Sequence, residues 1–299
     1  MSAPASIDVI LPYYGDHPQL RDAVRSVIAQ TDTDWRLICV DDAHPDSDAS
    51  AWIASLADPR IQHVRNETNL GVAGNFARCL ELATAPWVTI MGSDDRMRPS
   101  HLTEFRKAIE ASDGVDIVQG GVVVISDDGR RSYPLADRVK SILRPRAHAS
   151  GRLLSSRELA TSLTRADWAY FPSLIWRTAR VQRLGFREEY EIALDLGLLL
   201  DVAIDGGVML LHDATTFEYR RHRASASMSS ARSGLRFAQE RRFFLDYAER
   251  FSAIGWMRAA RIARWHLVSR LNALTEIPGA VLSGDLTAVS RLLVHVFRP

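Results

Sequence analysis

Four short apolar runs separated by helix-forming segments fill the first hundred residues, and this alternation restricts the fold more than any other feature of the chain. Ile7 to Pro12, Trp35 to Val40, Ile61 to Arg65 and Trp87 to Met91 are brief and rich in β-branched residues, the pattern of buried strands. Between the first two, Leu20, Val24, Val27 and Ile28 recur at helical spacing behind Pro18, a residue suited to a helix's first turn. Residues 49–57 and 72–83 read as helices between the later strands. Such alternation predicts a mainly parallel sheet covered by helices on both faces, with right-handed crossovers. The loops that leave each strand then share one edge, where open α/β sheets bind ligands. Tyr13, Asp41, Asp42, Asn69, Asp94 and Asp95 all fall on that edge although they are far apart in sequence.

The fourth run ends in Gly92-Ser93-Asp94-Asp95. Two adjacent carboxylates repel, so one of them is hard to ionise unless a cation neutralises the pair. Hard oxygen ligands suit Mg²⁺ or Mn²⁺, ions that also hold substrate phosphates. The stretch therefore predicts a metal–diphosphate site at Asp94 and Asp95. The plainer alternative is a solvated turn that caps the helix beginning near Pro99.

Further along, 99–112 reads as a helix, Asp116 to Ile125 as a strand and Asp127-Asp128-Gly129 as a hairpin turn. Residues 136–150 are polar and basic and contain Pro145, which predicts a surface loop. A helix follows from Ser155 or Ser156 to about Thr164, then the aromatic stretch Trp168 to Trp176, a short helix over 178–184, a helix over 193–204 and a strand at 208–211, after which Thr215 to Tyr219 leads into Arg220. From about residue 231 the pattern is helical only, with segments near 234–254, 256–275 and 285–297. The 299 residues suffice for one large domain or two small ones. A net charge of +1 gives no argument for a nucleic-acid partner. No run of about 18 apolar residues exists, and the N-terminus lacks a basic, apolar leader, so a cytoplasmic protein is expected. Cys39 and Cys79 sit in apolar patterns and read as small buried hydrophobes.

Four motifs, in order and at ordinary spacing, resemble those of the family 2 glycosyltransferases: Val9-Ile10-Leu11-Pro12-Tyr13-Tyr14, Leu37-Ile38-Cys39-Val40-Asp41-Asp42, Asn69-Leu70-Gly71-Val72-Ala73-Gly74-Asn75 and Gly92-Ser93-Asp94-Asp95. The resemblance spans roughly Ile7 to Ser227. It implies the GT-A fold, with residues 1–230 as the catalytic domain, about 1–115 the nucleotide-binding half, 116–230 the acceptor half and 231–299 a helical extension. Two departures stand out: Gly92 occupies a place where the family often has a third acid, and Tyr14-Gly15 follows Tyr13 where many members carry Asn.

The resemblance also implies roles. Asp95, with Asp94, would hold Mn²⁺ or Mg²⁺, and His222, in Tyr219-Arg220-Arg221-His222, would complete the shell or meet phosphate, with Arg220 or Arg221 neutralising it. Pro12, Tyr13, Asp41, Asp42, Asn69, Arg78, Ser93 and Asp94 would line the nucleotide, although a Tyr in a buried strand is more often packing and Arg78 reads equally as an exposed helix residue. In inverting members an Asp at the start of a late helix is the general base, which here is Asp195. An acid there is also favoured by the helix dipole alone. Trp168 and Tyr170 lie where the family binds its acceptor, and aromatic faces suit sugar rings; Trp176 reads as core. The expected reaction is metal-assisted, inverting transfer of a sugar from a nucleotide-diphosphate sugar, a UDP-sugar first, to a hydroxyl of a glycan or lipid-linked acceptor. The alternatives are a catalytically inactive sugar- or nucleotide-binding protein and a sugar nucleotidyltransferase, although Tyr13 to His17 is not the Gly-rich basic loop the latter needs. Arginines and aromatics interleave beyond residue 231, so the extension reads as a cap on the catalytic domain, a dimer interface or a peripheral membrane contact at the inner face.

Overall fold

A computed structural model of the protein describes residues 7–46, 48–148, 151–221 and 235–297. The four predicted strands are all present: β1 (Ile7–Tyr13), β2 (Trp35–Asp41), β3 (Ile61–Arg65) and β4 (Trp87–Ile90). They pair in parallel in the order β3-β2-β1-β4, with Tyr13 beside Asp41 and Ile10 beside Ile90. β1, β2 and β4 are buried on both faces almost throughout, as a sheet covered on both sides requires. Helices α1 (Pro18–Ile28), α2 (Asp48–Ser55) and α3 (Gly71–Leu82) supply the crossovers. Pro18 stands in the first turn of α1, and the N-cap His17 accepts the Leu20 N–H through Nδ1 at 3.1 Å.

Beyond β4 the sheet becomes mixed. It continues through β8 (Leu174–Arg177), β6 (Ile117–Ile125), β9 (Met209–Arg220) and β5 (Arg96–Met97), while β7 (Arg152–Leu154) pairs with β9 outside this row. β8 runs antiparallel to both β4 and β6, whereas β6 and β9 are parallel. The strand read at 208–211 runs on to Arg220 as β9, whose pairing with β6 shifts register near Gly121. Helices α4 (His101–Glu110), α6 (Ser156–Arg165), α7 (Thr178–Leu184) and α8 (Leu194–Ile204) fall where the periodicity places them. Residues 136–150 do not form the expected loop throughout, because α5 (Leu135–Leu143) occupies most of the stretch. Its Leu135, Val139 and Ile142 repeat at helical spacing but point outward, so a reading that looked for a buried face passed over them.

The C-terminal region has four helices among the described residues, not three: α9 (Leu235–Ala253), α10 (Met257–Trp265), α11 (Leu267–Leu282) and α12 (Leu286–Phe297). The break between α10 and α11 is at His266, whose φ of 29° is left-handed. α11 continues through Pro278. Phe243, Tyr247 and Phe251 of α9 and Ala259, Ala260 and Ala263 of α10 join the same buried cluster as Trp168, Trp176 and Leu198 to Leu200. A buried carboxylate fixes this docking. Asp201 of α8 accepts from Arg187 Nε at 2.6 Å, Tyr247 Oη at 2.8 Å and Arg250 Nη1 at 2.5 Å.

Replacing Asp201 by Ala leaves two arginines facing the cavity of a lost carboxylate. The substitution is expected to cost about 3 kcal/mol in chemical denaturation, because one partner of a buried pair cannot be removed cheaply. Amide exchange should rise mainly in residues 235–265.

Candidate active site

The site grows from the carboxyl edge of the sheet. After β4 the chain turns at Gly92, and Asp95 N–H returns to Gly92 carbonyl at 3.2 Å. This turn folds both acidic side chains back over the glycine. A Cβ at Gly92 would lie 2.6 Å from Asp95 Oδ2 and 2.9 Å from Asp94 Oδ1. Gly92 is therefore where it is because two carboxylate oxygens converge on the space a side chain would fill, which also explains why a third acid is missing there.

Asp95 is buried, and its Oδ1 accepts the Arg220 backbone N–H at 2.8 Å. Its Oδ2 has no hydrogen-bond partner among the described residues. A buried carboxylate oxygen without a partner is costly and calls for an explanation. Burial, and then the neighbouring Asp94 charge, push the Asp95 carboxyl well above the usual range. Both facts fit a site built to receive a cation through hard oxygen donors. No group of three or more His, Cys, Asp or Glu converges among the described residues. His222, nominated as a further ligand, lies outside them.

Arg220 holds this loop in place. Its Nε donates to the Asp94 carbonyl at 2.7 Å, and its Nη1 donates to the carbonyls of Asp127 at 2.8 Å and Ser126 at 3.1 Å. The side chain is buried, so it braces the turn rather than presenting a fork to phosphate. Arg221 is bidentate on Asp137, at 3.1 and 2.9 Å.

Asp137, at the start of α5, organises the opposite wall. Its Oδ1 also accepts from Tyr170 Oη at 2.9 Å. The Tyr170 ring lies against Tyr219 at 5.0 Å between centroids. Lys140, one turn along α5, reaches Asp167 Oδ2 and the Ala169 carbonyl, both at 3.3 Å. Asp195 lies in the first turn of α8, half-buried, with Oδ1 accepting the Leu196 N–H at 2.8 Å. Burial and then the Asp167 charge raise its carboxyl to about 6, opposed by Lys140. Tyr219 ties the two walls together. Burial raises its phenol above the usual range, and it feels the charges of Arg221, Asp95, Asp94 and Asp195. The acids nominated for cation and base thus border one region.

The nucleotide-side residues divide. Asp41 and Asp42 are buried and already engaged: Asp41 pairs with Arg65 and accepts the His44 N–H at 3.1 Å, and Asp42 accepts from Asn66 Nδ2 at 2.9 Å and Leu70 N at 2.8 Å. Asn66 Nδ2 also donates to Asn75 Oδ1 at 3.0 Å, and Asn69 Oδ1 accepts the Gly71 N–H at 2.8 Å. These side chains build the loop rim. Gly71 has a φ of 69°, which glycine adopts without strain.

Tyr13 is buried, with its hydroxyl 2.9 Å from His63 Nε2. Its ring belongs to the core and does not present a face for stacking. The neighbouring Tyr14 does: it is 54% exposed and meets His44 edge-on at 4.6 Å. Ser93 Oγ is 3.3 Å from His17 Nε2, joining the first and fourth loops. Arg78 pairs with Glu81 on the surface of α3 at 2.9 Å, the plainer of its two readings.

The acceptor-side expectation needs one correction. Trp168 is fully buried, and its Nε1 donates to Ser162 Oγ at 3.0 Å, so it is core like Trp176 and not an acceptor wall. An aromatic next to an acid gave no clue to which side of the chain it faced.

With this geometry in place, comparison with known proteins decides the family. The model for glycosyl transferase family 2 matches residues 8–171, more than half of the chain. The chain belongs to glycosyl transferase family 2. It is a glycosyltransferase with a GT-A-type sheet. It is 24% identical to an uncharacterised Mycobacterium tuberculosis protein, covering 81% of this chain and 75% of that one. It is 26% identical to the succinoglycan biosynthesis protein ExoO of Rhizobium meliloti, covering 74% of this chain but only 62% of the relative. Among solved structures, S. aureus TarS 1-349 with UDP-GlcNAc superposes with a TM-score of 0.72 at 16% identity, over 97% of this chain and 81% of that one. The Pyrobaculum calidifontis mannosyltransferase PcManGT, solved with GDP-Man and Mn²⁺, gives a TM-score of 0.56 at 15% identity, over 98% of this family 2 chain and 80% of its own.

Gly92→Ala tests the construction of the acid pair directly. The added methyl must displace Asp95 Oδ2 or Asp94 Oδ1. Calorimetric titration with UDP in the presence of Mn²⁺ should show affinity lowered by about tenfold or more, roughly 1.4 kcal/mol. Circular dichroism should remain unchanged.

Proposed function

We propose that the protein transfers a sugar from a nucleoside-diphosphate sugar, a UDP-sugar first, to a hydroxyl of a glycan or lipid-linked acceptor, with inversion at the anomeric carbon. The observation that supports this reading best is the meeting of three acids around Tyr219: a converging pair with an unpartnered buried oxygen, and a separate carboxyl raised toward neutrality. A relative named for succinoglycan biosynthesis, and fold neighbours solved with UDP-GlcNAc and GDP-Man, favour a nucleotide-sugar donor and a polysaccharide acceptor.

In this reading the donor base lies against Tyr14 at the rim made by Asp41, Asp42, Asn66 and Asn69. Asp94 and Asp95 would hold Mn²⁺ or Mg²⁺, with Ser93 beside them. Such an ion would supply positive charge against the departing nucleoside diphosphate. Arg220 keeps the two acids aimed at that point without touching substrate. Asp195 accepts the proton of the acceptor hydroxyl as that oxygen bonds to the anomeric carbon and the bond to the diphosphate oxygen breaks. A base with a pKa of about 6 is ionised at neutral pH yet still basic enough to help. Asp167 and Lys140 act on Asp195 in opposite senses and so position its titration.

The experiment is turnover of Asp195→Asn with donor binding measured in parallel. Donor hydrolysis or transfer should fall by about 10²- to 10⁴-fold while UDP affinity stays within about twofold. Normal turnover by Asp195→Asn would remove the base assignment. For the unsubstituted enzyme, kcat/KM should rise with pH through a midpoint near 6 and then level off, because the working form is the deprotonated one. A profile that falls over that interval contradicts the assignment. Chelation should abolish turnover, and Mn²⁺ or Mg²⁺ should restore it.

A further inference from the structure

The C-terminal helices expose far more apolar surface than their packing needs. On α11, Leu267 (61%), Leu271 (62%), Leu274 (47%), Val281 (58%) and Leu282 (89%) all face solvent, while Ala273 and Ala280 point inward. The outward positions repeat at about helical spacing and form one stripe along the helix. Little charge interrupts it: Arg270 is buried, and Glu276 is half-buried. Asp285 just beyond is used as a cap, accepting the Ala288 N–H at 2.9 Å. No other described element covers this stripe. Contiguous apolar surface of this kind marks an interaction site rather than ordinary solvent-facing helix.

The preceding helix carries the complementary charge. α10 turns Ala259, Ala260 and Ala263 into the core and leaves Arg258, Arg261 and Arg264 exposed. None of the three makes an ion pair among the described residues. Between the basic helix and the apolar one stands Trp265, 53% exposed. Trp265, Met257, Arg261 and Arg264 share a groove of about 450 Å³.

We propose that α10 and α11 form a docking surface for an anionic lipid bilayer, with α11 lying in the interface plane, Trp265 at headgroup level and the three arginines against lipid phosphates. Charge decides between this occupant and a second copy of the chain. A two-fold interface built from this patch would gather the arginines of both copies with little acid in the patch to balance them. An anionic bilayer offers them counter-charge and takes the apolar stripe as well. The attachment is peripheral, since no described helix is long and apolar enough to cross a membrane. This goes beyond the enzymatic reading and stands independently of it, because binding to vesicles requires no turnover.

The test is flotation of the full chain with vesicles of phosphatidylcholine alone and of phosphatidylcholine with about 30% phosphatidylglycerol. The protein should float with the anionic vesicles, at least about tenfold less with the neutral ones, and progressively less as salt is raised. Arg261→Glu with Arg264→Glu should lower the anionic partition by about tenfold or more. Leu271→Ser with Leu274→Ser should do the same while leaving the thermal midpoint unchanged, since both leucines are exposed. If one double variant fails to fold, the other carries the test. Absence of flotation with anionic vesicles, or flotation that both variants retain, overturns the proposal. So does light scattering that shows a dimer converted to monomer by the leucine pair, which would assign the surface to a second copy.

Discussion

Arg220 is the contact on which the site depends. Two neighbouring carboxylates do not hold themselves together, and the turn after β4 is short. The buried guanidinium ties the Asp94 carbonyl to the carbonyls of Ser126 and Asp127, while its own backbone N–H takes one oxygen of Asp95. That leaves Asp95 Oδ2 fixed, buried and unpartnered among the described residues. An oxygen in this condition stores unfavourable desolvation that a cation can relieve. The sheet's contribution is to bring β9, which carries Arg220, beside β6 and the hairpin that follows it. The loop after β4 then closes onto both.

The same economy runs through the rest of the edge. Asp41, Asp42, Asn66, Asn69 and Asn75 spend their polar atoms on one another and on loop backbone. This gives a built rim, with Tyr14 at the surface, Ser93 beside His17 and the acid pair at its edge. On the far wall, α5 contributes Asp137 and Lys140 from adjacent turns, one bracing Tyr170 and Arg221, the other balancing Asp167 against Asp195. Asp195 therefore titrates in a setting made by three elements, which lets the wall tune it without contacting substrate.

What could be read from the chain, and what could not, follows from how local each signal is. Period-2 and period-3.6 patterns are local, so β1 to β4, α1, α3 and α8 were all legible, and with them the sheet edge that gathers the acids. The acid pair after β4 was legible only through the order of its motifs, since β2 also runs into two carboxylates, Asp41 and Asp42, which build the rim instead. Side-chain direction is not local. Nothing near Tyr13 or Trp168 tells that both rings turn into the core, or that Tyr14 turns out. Partners distant in sequence were equally hidden: Arg220 looked like a phosphate ligand because its carbonyl acceptors lie more than ninety residues away. Helix α5 was missed for the opposite reason. Its apolar spacing was visible, but the face that matters for the site is the polar one, held by Asp137 and Lys140. His266, whose left-handed backbone divides α10 from α11, carries no glycine or proline to announce the break.

Manganese binding followed by electron paramagnetic resonance is the most direct measurement of the central claim, that the oxygens folded over Gly92 are a cation site completed by diphosphate. Titrating the protein with Mn²⁺ and UDP should remove the free-ion signal with one ion bound per chain, much more tightly with UDP present than without it. Asp95→Asn should abolish that uptake while the fold persists. Equal uptake by Asp95→Asn, or uptake indifferent to UDP, would contradict the account.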